Sequence, residues 1–193
     1  MLHRYLDLLE KWNAAYNLTA VRGRAAMEVE HVLDSIALVP HLPVAAGGTV
    51  VDVGTGAGLP GMVLAIAVPG NRYVLVDSNG KKTRFLTQAA HALGLGNVTV
   101  FNGRIEDWVP DARVDVVTSR AFAALADMVQ GCRALLEGGA QALAMKGMRP
   151  DDEMAALPPW ARVERVIPLA VPGLGKERHL VCIRACEPQG VTE

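Results

Sequence analysis

The stretch Val50-Val51-Asp52-Val53-Gly54-Thr55-Gly56-Ala57-Gly58-Leu59-Pro60-Gly61 limits the possible folds of this chain more than any other segment. An apolar run with one acid reads as a buried strand. Four glycines within the eight residues 54–61 read as a tight turn, and Pro60 suits the first turn of a helix over about 60–68, where its missing N–H costs nothing. Glycine at such a turn permits positive φ and lets the backbone come close to a ligand. The segment therefore reads as a strand, a ligand-cradling loop and a helix, with a plain structural turn as the alternative.

Two cofactor classes fit the loop. Gly56-Ala57-Gly58-Leu59-Pro60-Gly61 matches the dinucleotide pattern G-x-G-x-x-G, and Asp52-x-Gly54-x-Gly56-x-Gly58 matches the S-adenosylmethionine loop of methyltransferases. A triphosphate loop would need Gly-Lys-Ser/Thr after the glycines, and no lysine stands there. NAD-dependent oxidoreduction and methyl transfer thus remain as the competing chemistries.

The rest of the chain alternates strand and helix. Arg72 to Asp77 reads as a second strand, followed by a helix capped at Ser78 or Asn79 that runs through Leu93 and stops at Gly94. Asn97 to Phe101, Val114 to Thr118 and Ala140 to Met145 are further short strands, with a helix from about Phe122 to Leu136. Val163 to Leu169 and His179 to Arg184 flank a Pro/Gly turn and read as a hairpin. The expected fold is α/β and Rossmann-like: a mostly parallel seven-stranded sheet closed by an antiparallel C-terminal hairpin. That closure is typical of methyltransferases and unusual for dinucleotide folds. At 193 residues and 51% hydrophobic, the chain suits a single domain, with a helical segment over 1–45 and a cofactor-binding core over 46–193.

In the helical segment, Tyr5, Leu8, Leu9, Trp12 and Tyr16 share one helical face, and Val29, Val32, Leu33, Ile36 and Val39 another. His31, Asp34 and Ser35 fall at i, i+3 and i+4, outside that second stripe, as either a hydrogen-bonded surface cluster or a substrate-facing group. A nucleophilic triad is disfavoured by their placement on one helix and by the missing G-x-S-x-G elbow. Cys132, Cys182 and Cys186 form no C-x-x-C pair, so neither a metal site nor a disulfide framework is expected. No run approaches a membrane span of about 18 apolar residues, and the N-terminus has no apolar signal core. No membrane association and a cytoplasmic location are expected.

Asp77 ends the second strand about 21 to 23 residues after the glycines, where an acid accepts from ribose hydroxyls in either cofactor reading. Ile105 and Glu106, after the third strand, sit where methyltransferases place an apolar residue and a carboxyl beside adenine; caps of the following turn are the alternative for Glu106 and Asp107. Thr118-Ser119-Arg120-Ala121-Phe122 occupies the end of the fourth strand, where open α/β sheets meet ligands. The Asn/Asp-Pro-Pro-aromatic motif of amine methylases is absent there, and no cysteine stands at a strand-end loop to attack a pyrimidine ring. An acceptor atom that already bears a lone pair fits best, since it needs no general base.

With 19 basic and 20 acidic side chains, RNA contact must come from a local patch. The candidates are Lys81, Lys82 and Arg84, then Arg104, Arg120, Lys146, Arg149, Lys176 and Arg178, with a solvated charged face as the alternative for the Lys-Lys pair. Trp12, Tyr16, Trp108 and Phe122 are candidate stacking surfaces.

Six motifs in order carry a resemblance. They are Trp12-Asn13-x-x-Tyr16-Asn17-Leu18-Thr19, His31-x-x-Asp34-Ser35, the segment Asp52 to Gly61, Ser119-Arg120-Ala121, Lys146-Gly147, and Glu177-Arg178-His179-Leu180-Val181. On these the chain resembles the bacterial small-subunit ribosomal RNA guanine methyltransferases, also called glucose-inhibited division protein B. The resemblance implies transfer of a methyl group from S-adenosylmethionine to N7 of a guanosine in the 530 loop of 16S ribosomal RNA, free or in the assembling small subunit. It implies cofactor contacts at Gly54, Leu59, Ile105, Glu106 and Arg120, with Asp77 added for the ribose and Arg120 as a positioning residue. Lys81, Lys82, Arg84, Lys146 and Arg178 stand as RNA candidates; a monomer without metal is expected. Members of the family carry more helical sequence before the Trp-Asn motif, so a start shortened relative to the family is expected.

Overall fold

The computed structural model describes residues 1–120 and 124–186. Seven strands form one sheet: β1 (Thr49–Val53), β2 (Arg72–Asp77), β3 (Val98–Asn102), β4 (Val116–Arg120), β5 (Gln141–Lys146), β6 (Ala161–Pro168) and β7 (His179–Ala185), in the order β3-β2-β1-β4-β5-β7-β6. β1 to β5 run parallel, and β7 pairs antiparallel with both β5 and β6. The strand order reverses between β1 and β4, the place where open sheets of this type bind ligands.

Eight helices flank the sheet among the described residues: α1 (Leu2–Tyr16), α2 (Arg24–Met27), α3 (Asp34–Ile36), α4 (Gly61–Ala67), α5 (Gly80–Leu93), α6 (Leu125–Gly131), α7 (Arg133–Glu137) and α8 (Asp151–Ala155). Strand alternation divides the core. Val51, Val53, Val117 and Ala144 face Leu125, Met128, Val129 and Leu136 of α6 and α7. On the opposite side, Leu75 packs with Tyr5, Leu9, Met62, Phe85 and Leu86, while Val50, Tyr73, Val116 and Leu143 pack with Leu64. α1 thus lies on the outside of the α4–α5 layer, which explains its apolar stripe.

Expected and observed bounds agree closely for α5, where the Asn79 side chain accepts from the Lys81 amide and Gly94 ends the helix in the left-handed region. Elsewhere they differ. β4 begins and ends two residues later than expected, at Val116 and Arg120, because the polar trio Thr118, Ser119 and Arg120 continues the ladder with β5. The single helix expected over about 122–136 is two helices, broken at Cys132; its start, with Ala121 and Phe122, lies outside the described residues. Between α2 and α3, residues Glu28–Leu33 wind as a wider π-type turn, a form often found at functional sites. α8 has no apolar stripe and was not expected.

Candidate active site

Asp52 organises the glycine loop from below. The pleat of β1 turns its side chain toward α4, where it is fully buried. Its Oδ2 accepts from the Gly61 amide at 2.9 Å and from the Thr55 hydroxyl, and its Oδ1 from the Thr118 hydroxyl at 3.0 Å. Burial pushes the Asp52 carboxyl up to about 6, against the pull of these three hydrogen bonds. The acid therefore fixes the loop and the start of α4 instead of facing a ligand. Gly54, Gly56 and Gly58 all take positive φ, as the turn requires. From the helical segment, the buried Tyr5 hydroxyl donates to the Ala57 carbonyl at 2.6 Å, so the loop is held from both sides.

A cavity of about 410 Å³ opens above the ends of β1, β2 and β4, with walls that include Gly54, Asp77, Lys82, Ile105, Glu106, Arg120 and Gly131. Asp77 Oδ2 accepts from the Gly56 amide at 2.9 Å and Oδ1 from the Asn79 amide at 2.8 Å, which holds the carboxylate upright beside the loop. Ile105 to Asp107 form a 3₁₀ turn with Ile105 buried and Glu106 exposed. That turn is pressed against α6: a Cβ added at Gly131 would stand 3.1 Å from both Glu106 Oε1 and Ile105 Cγ2.

A second cavity, of about 310 Å³, is lined by Val21, Glu30, His31, Arg120, Met145, Lys146, Gly147 and Arg178. Antiparallel pairing makes it, since Lys146 at the end of β5 faces His179 at the start of β7 and so brings Arg178 to the same edge. Arg120 lines both cavities. Its Nη1 donates to the Glu30 carbonyl at 2.7 Å and to Asp34 Oδ2 at 2.9 Å. Lys146 pairs with Glu153 at 2.7 Å, and the same Glu153 oxygen accepts from the Leu125 amide that opens α6.

His31 lies 3.4 Å through Nδ1 from Arg120 Nη2 and 2.9 Å through Nε2 from the Thr19 hydroxyl. A guanidinium only donates, so Nδ1 is the acceptor and Nε2 carries the proton. Burial, then Arg120, holds the imidazole below its usual value, and the ring is neutral at pH 7.

Five of the six cofactor candidates thus meet in the first cavity: Gly54, Asp77, Ile105, Glu106 and Arg120. Leu59 does not; its side chain packs in the core with Met62 and Leu86, and its amide donates to the Thr55 carbonyl. Among the RNA candidates, Lys146 and Arg178 line the second cavity, whereas Lys82 lines the first, 3.8 Å from Asp77. Lys81 and Arg84 are exposed on α5, away from both. His31, Asp34 and Ser35 are buried and not on a surface face, because the π-type turn rotates them toward the sheet edge. Trp12 is half-buried against Phe85 at 5.7 Å and Tyr16 at 5.3 Å, and Trp108 packs on the α6 side of the core. Val21, Glu30 and Met145 carried no signal in the sequence, since only the fold brings them together. A hollow of about 500 Å³ between the end of α5 and edge strand β3, lined by Thr87, His91, Leu95, Val98 and Val100 among others, holds none of the candidate residues.

Solved structures share the fold. A S-adenosylmethionine-dependent methyltransferase from Aquifex aeolicus superposes with a TM-score of 0.61 at 17% identity, over 81% of this chain and 92% of that one. A structure described as MtNAS in complex with MTA and tNA gives 0.65 at 16% identity, over 96% and 69%. Sequence relatives are nearer. The ribosomal RNA small subunit methyltransferase G of Vibrio campbellii is 49% identical over 93% of this chain and 84% of its own length, and that of Burkholderia thailandensis 51% over 92% and 79%. The family model described as rRNA small subunit methyltransferase G, GidB, matches residues 1–181, and the chain belongs to that family.

Proposed function

We propose that this protein transfers a methyl group from S-adenosylmethionine to N7 of a guanosine in the 530 loop of 16S ribosomal RNA. The observation that carries the reading is Arg120, one side chain in the walls of two adjacent cavities. A donor in the first and an acceptor base in the second would meet there. Family membership supports a ribosomal RNA substrate, and the ordered motifs of the chain support the 530 loop and N7.

The first cavity fits the cofactor. Its volume lies in the range of small-molecule sites, Gly54 brings backbone to its floor, Asp77 and Glu106 supply carboxylates, and Ile105 supplies an apolar face. When bound, S-adenosylmethionine would supply a sulfonium methyl group open to attack by the N7 lone pair, the C–S electron pair leaving with sulfur as the neutral thioether and no proton changing hands. His31 is suited to this chemistry as a fixed neutral wall and not as a base, since a proton on Nδ1 would face the Arg120 guanidinium. Val21 and Met145 offer apolar surface to a base, and Arg120, Lys146 and Arg178 offer cationic edges. Rate then depends on alignment of donor and acceptor and on exclusion of water. The antiparallel closing pair and the family assignment favour the methyl donor over a nicotinamide at the glycine loop.

The test is transfer of labelled methyl to small subunits from a strain that lacks this gene, with mass-spectrometric mapping of the label. Label on position 7 of a 530-loop guanosine is expected. Label on another nucleotide or atom overturns the finer assignment, and no transfer overturns the whole. Calorimetry with S-adenosylhomocysteine and NAD side by side should give binding only for the former.

A further inference from the structure

Asp34 has no solvent exposure, yet it stands between two guanidinium groups. Its Oδ2 accepts from Arg120 Nη1 at 2.9 Å and its Oδ1 from Arg178 Nε at 2.8 Å. Three distant parts of the chain meet at this carboxylate: α3 of the helical segment, the end of β4, and the turn before β7. Both arginines keep about a fifth of their side-chain surface exposed, at 19% and 20%, and both line the second cavity. Hydrogen bonds between charged groups are short and directional, so one carboxylate that accepts from two guanidiniums fixes the planes of both. One negative charge against two positive ones leaves the cluster cationic toward the cavity.

Stability is a poor reason for such a triad. Taking three charges out of water is costly, and apolar replacements of buried ion clusters are often neutral or stabilising. The exposed edges of the two arginines point to another role.

We infer that Asp34 is a positioning residue for methyl transfer, holding Arg120 and Arg178 as a two-pronged fork that grips the O6 edge of the acceptor guanine. The inference rests on the two-cavity reading above. Arginine N–H groups pair naturally with the O6/N7 edge of guanine, and a fork that engages O6 leaves N7 free to face the donor. Asp34 touches neither substrate nor cofactor and acts only through the arginines. The helical segment is then part of the acceptor site, and not only packing for the core.

Single-turnover methyl transfer by the full chain to unmodified small subunits tests this. Asp34→Asn keeps the shape but offers one oxygen to two arginines. The expected loss is about 100-fold in rate, the scale of a misplacement of about 1 Å. The double variant Asp34→Asn/Arg178→Ala should lose less than the product of the two single losses, because both changes release the Arg178 prong while only the first also loosens Arg120. Multiplying losses, or a rate that falls only with the folded fraction, would overturn the inference. Should Asp34→Asn fail to fold, Arg178→Lys replaces the planar fork with a point charge; a similar loss at an unchanged melting temperature is expected, and a wild-type rate overturns the inference. Transfer by the wild type to another nucleotide would sink the assignment of the target and with it the O6 fork, while no transfer at all would overturn both readings.

Discussion

Tyr5 and Ala57, separated by 52 positions in the chain, are joined by a 2.6 Å hydrogen bond from phenol to carbonyl beneath the glycine loop. Both residues are buried, and burial raises the phenol's affinity for its proton, so the group acts solely as a donor. Tyr5→Phe leaves the Ala57 carbonyl without this donor in a dry site, at a cost of about 1–2 kcal/mol. Affinity for S-adenosylhomocysteine, measured by calorimetry, should fall several-fold, with urea denaturation showing the same loss of stability.

Asp52 makes two separable contributions. Asp52→Ala strips the partner from the Gly61 amide and from two hydroxyls in the core, and should cost about 3 kcal/mol or more. The carboxyl also titrates in the fold near 6, above its ordinary 3.8. A group raised on folding contributes stability that is full below its unfolded value and lost as pH rises through its folded value. Wild type minus Asp52→Asn, followed by urea midpoints, should therefore decline between about pH 4 and 6 and stay level above.

Two glycines should respond in opposite ways to alanine. At Gly61 a Cβ would fall 2.3 Å from Leu75 Cδ2 and 2.8 Å from Asp52 Cβ, so Gly61→Ala wedges α4 off the sheet and lowers stability by about 1–3 kcal/mol. At Gly131 the contacts are 3.1 Å, and alanine favours the helix by up to about 1 kcal/mol. Gly131→Ala should melt near or above the wild-type temperature while binding S-adenosylhomocysteine more weakly, through displaced Ile105 and Glu106. Equal affinity in the two proteins would remove the Ile105–Glu106 turn from the cofactor site.

The buried His31 predicts an acid-side weakness. Its folded value lies below the usual 6.5, so the unfolded chain takes up the proton first as pH falls. Stability from this group is complete above about pH 6.5 and is lost as pH drops through the folded value. The difference between wild type and His31→Gln should therefore shrink below pH 6.5; a difference that is constant from pH 7 to 5 would contradict the neutral, arginine-facing ring.

What the sequence revealed followed local chemistry. The glycine loop, the Asn79 and Gly94 caps of α5, and the hairpin around 171–175 are each determined by a few neighbouring residues, and their positions were legible. The sequence ends β4 too early because Ser119 and Arg120 look polar, whereas both continue the ladder opposite Ala144 and Met145 of β5. Ideal 3.6-residue geometry sets His31 and Asp34 outside the apolar stripe, as a surface cluster or a substrate-facing group; both are buried and His31 lines the second cavity, so the surface reading falls. The motifs flag His31, Arg120, Lys146 and Arg178 separately, but nothing local shows that they share a cavity; the antiparallel β5–β7 pairing, for one, brings Lys146 and Arg178 to the same edge.

Arg120 has a consequence for the energetics of the proposed transfer. Positive charge would vanish from one side of its guanidinium and appear on the other, carried by the methylated ring. A fixed cation in the partition between two chambers repels charge in both, so its unfavourable interaction before the step is largely matched after it. The residue thereby behaves as an electrostatic fulcrum: it biases neither direction strongly, while its anchors on Glu30 and Asp34 hold the pivot still.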